Sequence, residues 1–126
     1  MNIKGHPAIK FAALGWTMAI VALASDGATG GPDLFAGQDK VLHAGAFGLL
    51  TTLYGLGWPD AAGRPRRWFP AFGCSLFGAL IEIGQMLLTK TRSAELLDLA
   101  ADLIGIAIAV VLLPFLFPSR AGETAA

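Results

Sequence analysis

The stretch LLDLAADLIGIAIAVVLLPFLF, residues 96–117, decides the fold. It holds two ionisable side chains, Asp98 and Asp102, both in its opening turns, and is apolar or small almost everywhere else. A helix that crosses a bilayer requires about 20 mostly apolar residues, so this segment predicts a transmembrane helix. Working outward, three further stretches meet the same length: about 8–25, with Lys10 near enough to its start to snorkel to the interface; about 41–58, with His43; and about 68–89, with Glu82 and Gln85. Breakers separate them: Asp26-Gly27 through Gly30-Gly31-Pro32, then Trp58-Pro59-Asp60 to Arg64-Pro65, then Lys90-Thr91-Arg92-Ser93. The expected fold class is an all-α integral membrane protein: one domain over residues 1–118, a compact bundle of about four transmembrane helices. Residues 119–126 are expected to form a flexible cytoplasmic tail.

Composition supports that class and excludes others. Of the 126 residues 55% are hydrophobic and only 14% charged, against about 25% charged in a soluble domain. Mean hydropathy is +0.63. A formal net charge of zero and the absence of a basic, aromatic-laced stripe argue against nucleic acid as a partner. The single cysteine, Cys74, lies in an apolar run and cannot form an intrachain disulfide. The first stretch has a rival reading as a cleaved signal, with Lys4 and Lys10 as the basic region and Ala22-Leu23-Ala24 as the small-x-small site.

Orientation follows from the basic residues. With the N-terminus inside, cytoplasmic segments hold Lys4, Lys10, Arg64, Arg66, Arg67 and Arg120, and outer segments hold Lys40, Lys90 and Arg92. Both termini are therefore expected in the cytoplasm. Gly45, Gly48, Gly55 and Gly57 in the second stretch, Gly73, Gly78 and Gly84 in the third, and Ala101 with Gly105 in the fourth read as close-packing positions.

Alternating direction brings the intramembrane polar groups level. Asp39, Lys40 and His43 begin the second helix, Glu82 and Gln85 lie near the end of the third, and Arg92 precedes Asp98 and Asp102 at the start of the fourth. At 1.5 Å per residue all eight fall within about 10 Å of one interface. Asp39 and His43, Glu82 and Gln85, and Asp98 and Asp102 are each spaced to share a helix face. Ionisable groups at that depth must face the bundle and find partners. Asp98 and Asp102 repel one another if both are ionised, so Arg92, Lys40, a protonated His43, a cation or a shared proton must relieve them.

Three tasks fit the cluster. It could recognise an anionic or polar headgroup, with Lys40 and Arg92 meeting phosphate or carboxylate. It could be an enzyme site, with His43 as general acid or base, Glu82 or Asp98 orienting it, and Arg92 as the anion clamp. Or it could be a structural cluster that fixes helix register. One histidine and no thiolate make a poor zinc set, so no metal and no cofactor is expected. His6 reads as an exposed N-terminal residue, and Thr91 and Ser93 have no nucleophile motif around them.

Asp39-Lys40-x-x-His43, then Glu82-x-x-Gln85, then Arg92 followed by Asp98-x-x-x-Asp102-x-x-Gly105, resembles the VanZ-like family of bacterial membrane proteins. The resemblance spans about residues 39–105; the first helix matches only in character. The family pattern usually has asparagine where this chain has Asp102, which places a second acid beside Asp98. The resemblance implies a multi-pass protein of the bacterial cytoplasmic membrane that keeps its first helix. It also links the chain to a family associated with resistance to the glycopeptide teicoplanin. The leading expectation is recognition of a membrane lipid headgroup or a lipid-linked cell-wall component at the outer interface by Asp39, Lys40, His43, Glu82, Gln85, Arg92, Asp98 and Asp102.

Overall fold

The structure, a computed structural model, describes residues 3–25, 34–88 and 95–118, and among these the chain forms four helices and no strand. They are α1 (Pro7–Ser25), α2 (Gln38–Gly57), α3 (Trp68–Leu88) and α4 (Glu95–Leu116). The tail, 119–126, lies outside the described residues.

Helices α1, α3 and α4 are long and apolar enough to cross a membrane; α2 is not. It opens on Gln38, Asp39 and Lys40 and carries His43, Thr51, Thr52, Tyr54 and four glycines. Yet α2 touches all three other helices and packs most extensively against α4. The least apolar helix takes the middle, where protein covers its polar groups. Two of its hydroxyls are satisfied one turn back: Thr51 donates to the Phe47 carbonyl and Thr52 to the Gly48 carbonyl, both at 2.8 Å. The helix also opens at Gln38, ahead of the apolar run at Val41. Its first N–H groups have no partner within the helix and its N-terminal end is positive, so Asp39 suits the first turn.

The α2–α4 contact is set by missing side chains. A Cβ on Gly105 would collide with the Ala44 carbonyl group, and one on Gly48 would come within 3.0 Å of the Gly105 oxygen. Helix backbones meet here directly. Packing of this kind holds helices together where lipid supplies no hydrophobic drive. Around the crossing Leu50, Leu113 and Thr51 are fully buried, and Phe47, Ile106 and Val110 join them in the core.

Helix α1 is pinned to α2 by polar contacts. Trp16 Nε1 donates to the Ala46 carbonyl at 2.9 Å, the Thr17 and Tyr54 hydroxyls lie 2.8 Å apart, and the Gly5 N–H donates to the Leu56 carbonyl at 2.7 Å. Outward faces are strongly apolar: Phe72, Leu80 and Leu87 on α3 and Ile104, Ile108 and Phe115 on α4 are all exposed. An exposed apolar surface this continuous matches hydrocarbon rather than water.

Pro114 lies inside α4 and has no N–H, so the Val110 carbonyl one turn earlier loses its helical donor. Arg67 Nη1, just ahead of α3, donates to that carbonyl at 3.0 Å. A defect in one helix is closed by a cation from another.

Replacing Gly105 by alanine should lower the thermal midpoint of the detergent-solubilised protein by an amount corresponding to about 1–3 kcal/mol, the range for overpacking. Gly84→Ala, where a Cβ meets nothing within 4 Å, should be neutral or slightly stabilising. Equal midpoints for the two variants would show that the close crossing is not a constraint.

Candidate functional site

The crossing fixes which side chains meet. Helices α2 and α4 pack with their N-terminal ends together, so the steps back from Ala44 and Gly105 form a ladder. His43 comes opposite Asp102, with His43 Nδ1 2.9 Å from Asp102 Oδ1. One turn further, Lys40 Nζ donates to Asp98 Oδ1 at 2.5 Å and, on its own helix, to Asp39 Oδ2 at 2.6 Å. His43 Nε2 faces Asp98 Oδ2 at 4.0 Å. Asp98 and Asp102 of α4 are thus hydrogen-bonded to one α2 base each, Lys40 and His43.

Burial is uneven in a useful way. The side chains of Asp98 and Asp102 are 4% and 1% exposed, whereas those of Lys40 and His43 are 30% and 31% exposed. The acids form the floor and the bases the accessible rim. Glu82 enters from α3 and is also buried; His43, Glu82 and Asp102 each offer one donor atom, all within 4.8 Å of one another. Asp102 Oδ2 is buried without a hydrogen-bond partner among the described residues. Gly78 of α3 lies directly over it: a Cβ there would come within 3.1 Å of both that oxygen and the Phe47 ring. Its bare backbone lets α3 close over the carboxylate.

Of the sequence-predicted residues, Asp39, Lys40, His43, Glu82, Asp98 and Asp102 are brought together. Gln85 Nε2 donates to the Ala24 carbonyl at 3.2 Å and so joins α3 to the end of α1. Arg92 lies outside the described residues. The carboxylate on His43 Nδ1 is Asp102, where sequence reasoning favoured Glu82 or Asp98 for that role. Two signals were available: Lys40 and His43 at i, i+3 and Asp98 and Asp102 at i, i+4 lie one turn apart on two helices running the same way, which implies a ladder, and the acid at position 102 stands where the ladder needs one. Gly78 was read only as a packing position; nothing in the chain marks its carboxylate neighbour.

Chemically, a carboxylate on Nδ1 orients the imidazole and leaves Nε2, which faces Asp98 at 4.0 Å, as the ring nitrogen able to take or give a proton. The donor set His43, Glu82 and Asp102, one imidazole nitrogen and two carboxylates, suits a proton or an oxygen-preferring divalent cation better than a thiolate-seeking one. Three buried carboxylates, Glu82, Asp98 and Asp102, gather beside Lys40 and His43.

Fold and site together define a class: an all-helical protein of membrane type, three of whose helices are apolar enough to span, with a charged cluster where α2, α3 and α4 converge. Comparison with protein-family models, with curated proteins and with solved structures finds no match to this chain.

Breaking the Lys40–Asp98 pair takes the directly bonded cation from a buried carboxylate. Lys40→Met should therefore cost about 1–3 kcal/mol of stability, less than the full penalty for a buried pair because Lys40 is partly exposed. The double variant with Asp98→Asn should lose less than the sum of the single losses. Strict additivity in a thermal double-mutant cycle would show that the two side chains do not act as a pair.

Proposed function

We propose that this chain is a VanZ-like, multi-pass protein of the bacterial cytoplasmic membrane, inserted with both termini in the cytoplasm. Its α2–α3–α4 cluster, on the outer face, recognises the polar headgroup of a lipid or a lipid-linked cell-wall component. The observation that carries the reading is the rim of accessible bases over buried acids. Lys40 is anchored from below by Asp98 and, among the described residues, paired on its outer side with Asp39, whose side chain is 54% exposed. A phosphate or carboxylate on a headgroup takes the place of Asp39 at Lys40, without disturbing the buried pair. His43, fixed by Asp102, supplies a donor or acceptor to the rest of the headgroup. Arg92, six residues ahead of Asp98 in sequence, is the second cation of the ligand set. The ordered spacing of these residues supports the family reading, and three apolar helices support the membrane reading.

The exchange at Lys40 has a distinctive signature. Lipid co-purifying with the protein should fall in Lys40→Met and rise in Asp39→Asn, measured by mass spectrometry of extracted lipids. Identical lipid identity and amount in wild type and both variants would end the headgroup proposal.

The His43–Asp102 contact favours one second reading, an enzyme acting on the same class of substrate with His43 as acid or base. In that case His43→Ala would still bind the lipid but would no longer convert it.

Orientation is tested separately. In a Cys74→Ser background, a cysteine at Gly30 should react with an impermeant thiol reagent in intact cells and one at Arg66 should not. The reverse pattern places the cluster on the cytoplasmic side.

A further inference from the structure

At the opposite end of α2 from the charged cluster lies a crevice of about 810 Å³, bounded by α1, α2 and α3. It exists because α1 and α3 touch each other less than either touches α2. Its walls are apolar, with Leu50, Phe69 and Phe77 among them, and its volume is in the range of ligand pockets, about 300–1,000 Å³. At one end the lining changes character to Lys10, Trp58 and Arg66. Lys10 Nζ lies 5.6 Å from the centre of the Trp58 ring, and Trp58 stacks on Tyr54 with ring centres 5.3 Å apart.

These two cations are not engaged by acids. Neither Lys10 nor Arg66 has a carboxylate partner among the described residues. The other nearby bases are committed. Arg64 pairs with Asp60 through Nε at 3.1 Å, and Arg67 is bound to the Val110 carbonyl. Asp60 is itself held in the turn: the Arg64 backbone N–H, with the Ala62 N–H, keeps its carboxyl below the usual range. Nor is Arg66 placed by chance, because its backbone N–H donates to the Gly55 carbonyl at 3.1 Å and fixes it at the end of α2.

An apolar slot that ends in stacked aromatics and two cations without a carboxylate partner among the described residues has the polarity of one kind of molecule. We infer that the crevice is a binding site for an anionic phospholipid, its acyl chain between α1 and α3 and its phosphate between Lys10 and Arg66. Aromatic rings flanked by basic residues belong at headgroup depth. The inference rests on the chain being membrane-inserted and does not depend on what the charged cluster binds. It adds a second lipid contact in the other leaflet, selective by charge where the first is selective by headgroup structure.

The test uses the full-length protein, extracted from membranes in mild detergent and offered equal amounts of phosphatidylglycerol and phosphatidylcholine, with retained lipid counted by native mass spectrometry. Each basic residue near a headgroup is worth about fivefold, so wild type should prefer phosphatidylglycerol on the order of 30-fold. The double variant Lys10→Gln, Arg66→Gln should bring the two lipids close to parity while lipid is still retained. Gly73→Phe fills the crevice from a position where a Cβ meets nothing within 4 Å, and should lower retention of both. Arg64→Gln, at a base paired with Asp60 and outside the crevice lining, should leave the preference unchanged. The inference is overturned by parity in the wild type, by an undiminished preference in the double variant, or by a preference that follows Arg64 instead. It is equally overturned if the protein runs as a dimer, without lipid, that Gly73→Phe disrupts, since a second copy then fills the crevice. A chain that fails to partition into membranes defeats both readings; loss of the charge preference alone defeats only this one.

Discussion

The approach of Gly105 to the Ala44 carbonyl is the constraint from which the rest of the structure follows. Two helices that meet backbone to backbone have no freedom to slide, because any neighbouring residue brings a side chain into the gap. Register is then fixed along their length. A slip of one residue would rotate α4 by about 100° and carry Asp98 and Asp102 away from α2. The ladder of Lys40 with Asp98 and His43 with Asp102 is thus a consequence of a small residue one to two turns away, as much as of the charges themselves.

The same contact explains how the bundle tolerates buried acid. Taking carboxylates out of water is costly unless each finds a partner of good geometry. Here α4 supplies the acids and α2 the bases, one against one, and α3 closes over the top through Gly78. The helix least suited to lipid touches all three others and makes the most extensive contact in the bundle, against α4. Its polar residues need not be removed for the protein to be apolar outside. Such a pairing can also specify fold: the wrong helix neighbour would leave acids unmatched, while the right one neutralises both.

Much of this was legible in the chain. Residues 96–117 and the three other apolar stretches announce four helices by length alone, and their alternating direction places Lys40, His43, Glu82, Asp98 and Asp102 at one level. What hydropathy could not convey was the rotation of each helix about its axis. That is why Asp102, and not Glu82 or Asp98, lies on His43 Nδ1, and why Gln85 reaches Ala24 of α1. Spacing puts Glu82 and Gln85 on one face but leaves open which neighbour that face meets. The start of α2 was also obscured, because apolarity begins at Val41 whereas the backbone is already helical at Gln38. Polar residues in a first turn are invisible to a hydropathy window and ordinary to a helix.

The joint between Arg67 and the Val110 carbonyl has an evolutionary consequence. Position 67 needs a long donor only because position 114 is a proline, and position 114 can be a proline only because a donor reaches its orphaned acceptor. In a sister chain with leucine at position 114 the acceptor is satisfied within α4, and selection on position 67 relaxes to whatever its charge contributes. The two sites, far apart in sequence and on different helices, should therefore drift as a pair. A lineage that loses the arginine first passes through a weakened intermediate, so the permitted order of change is proline out, then arginine out.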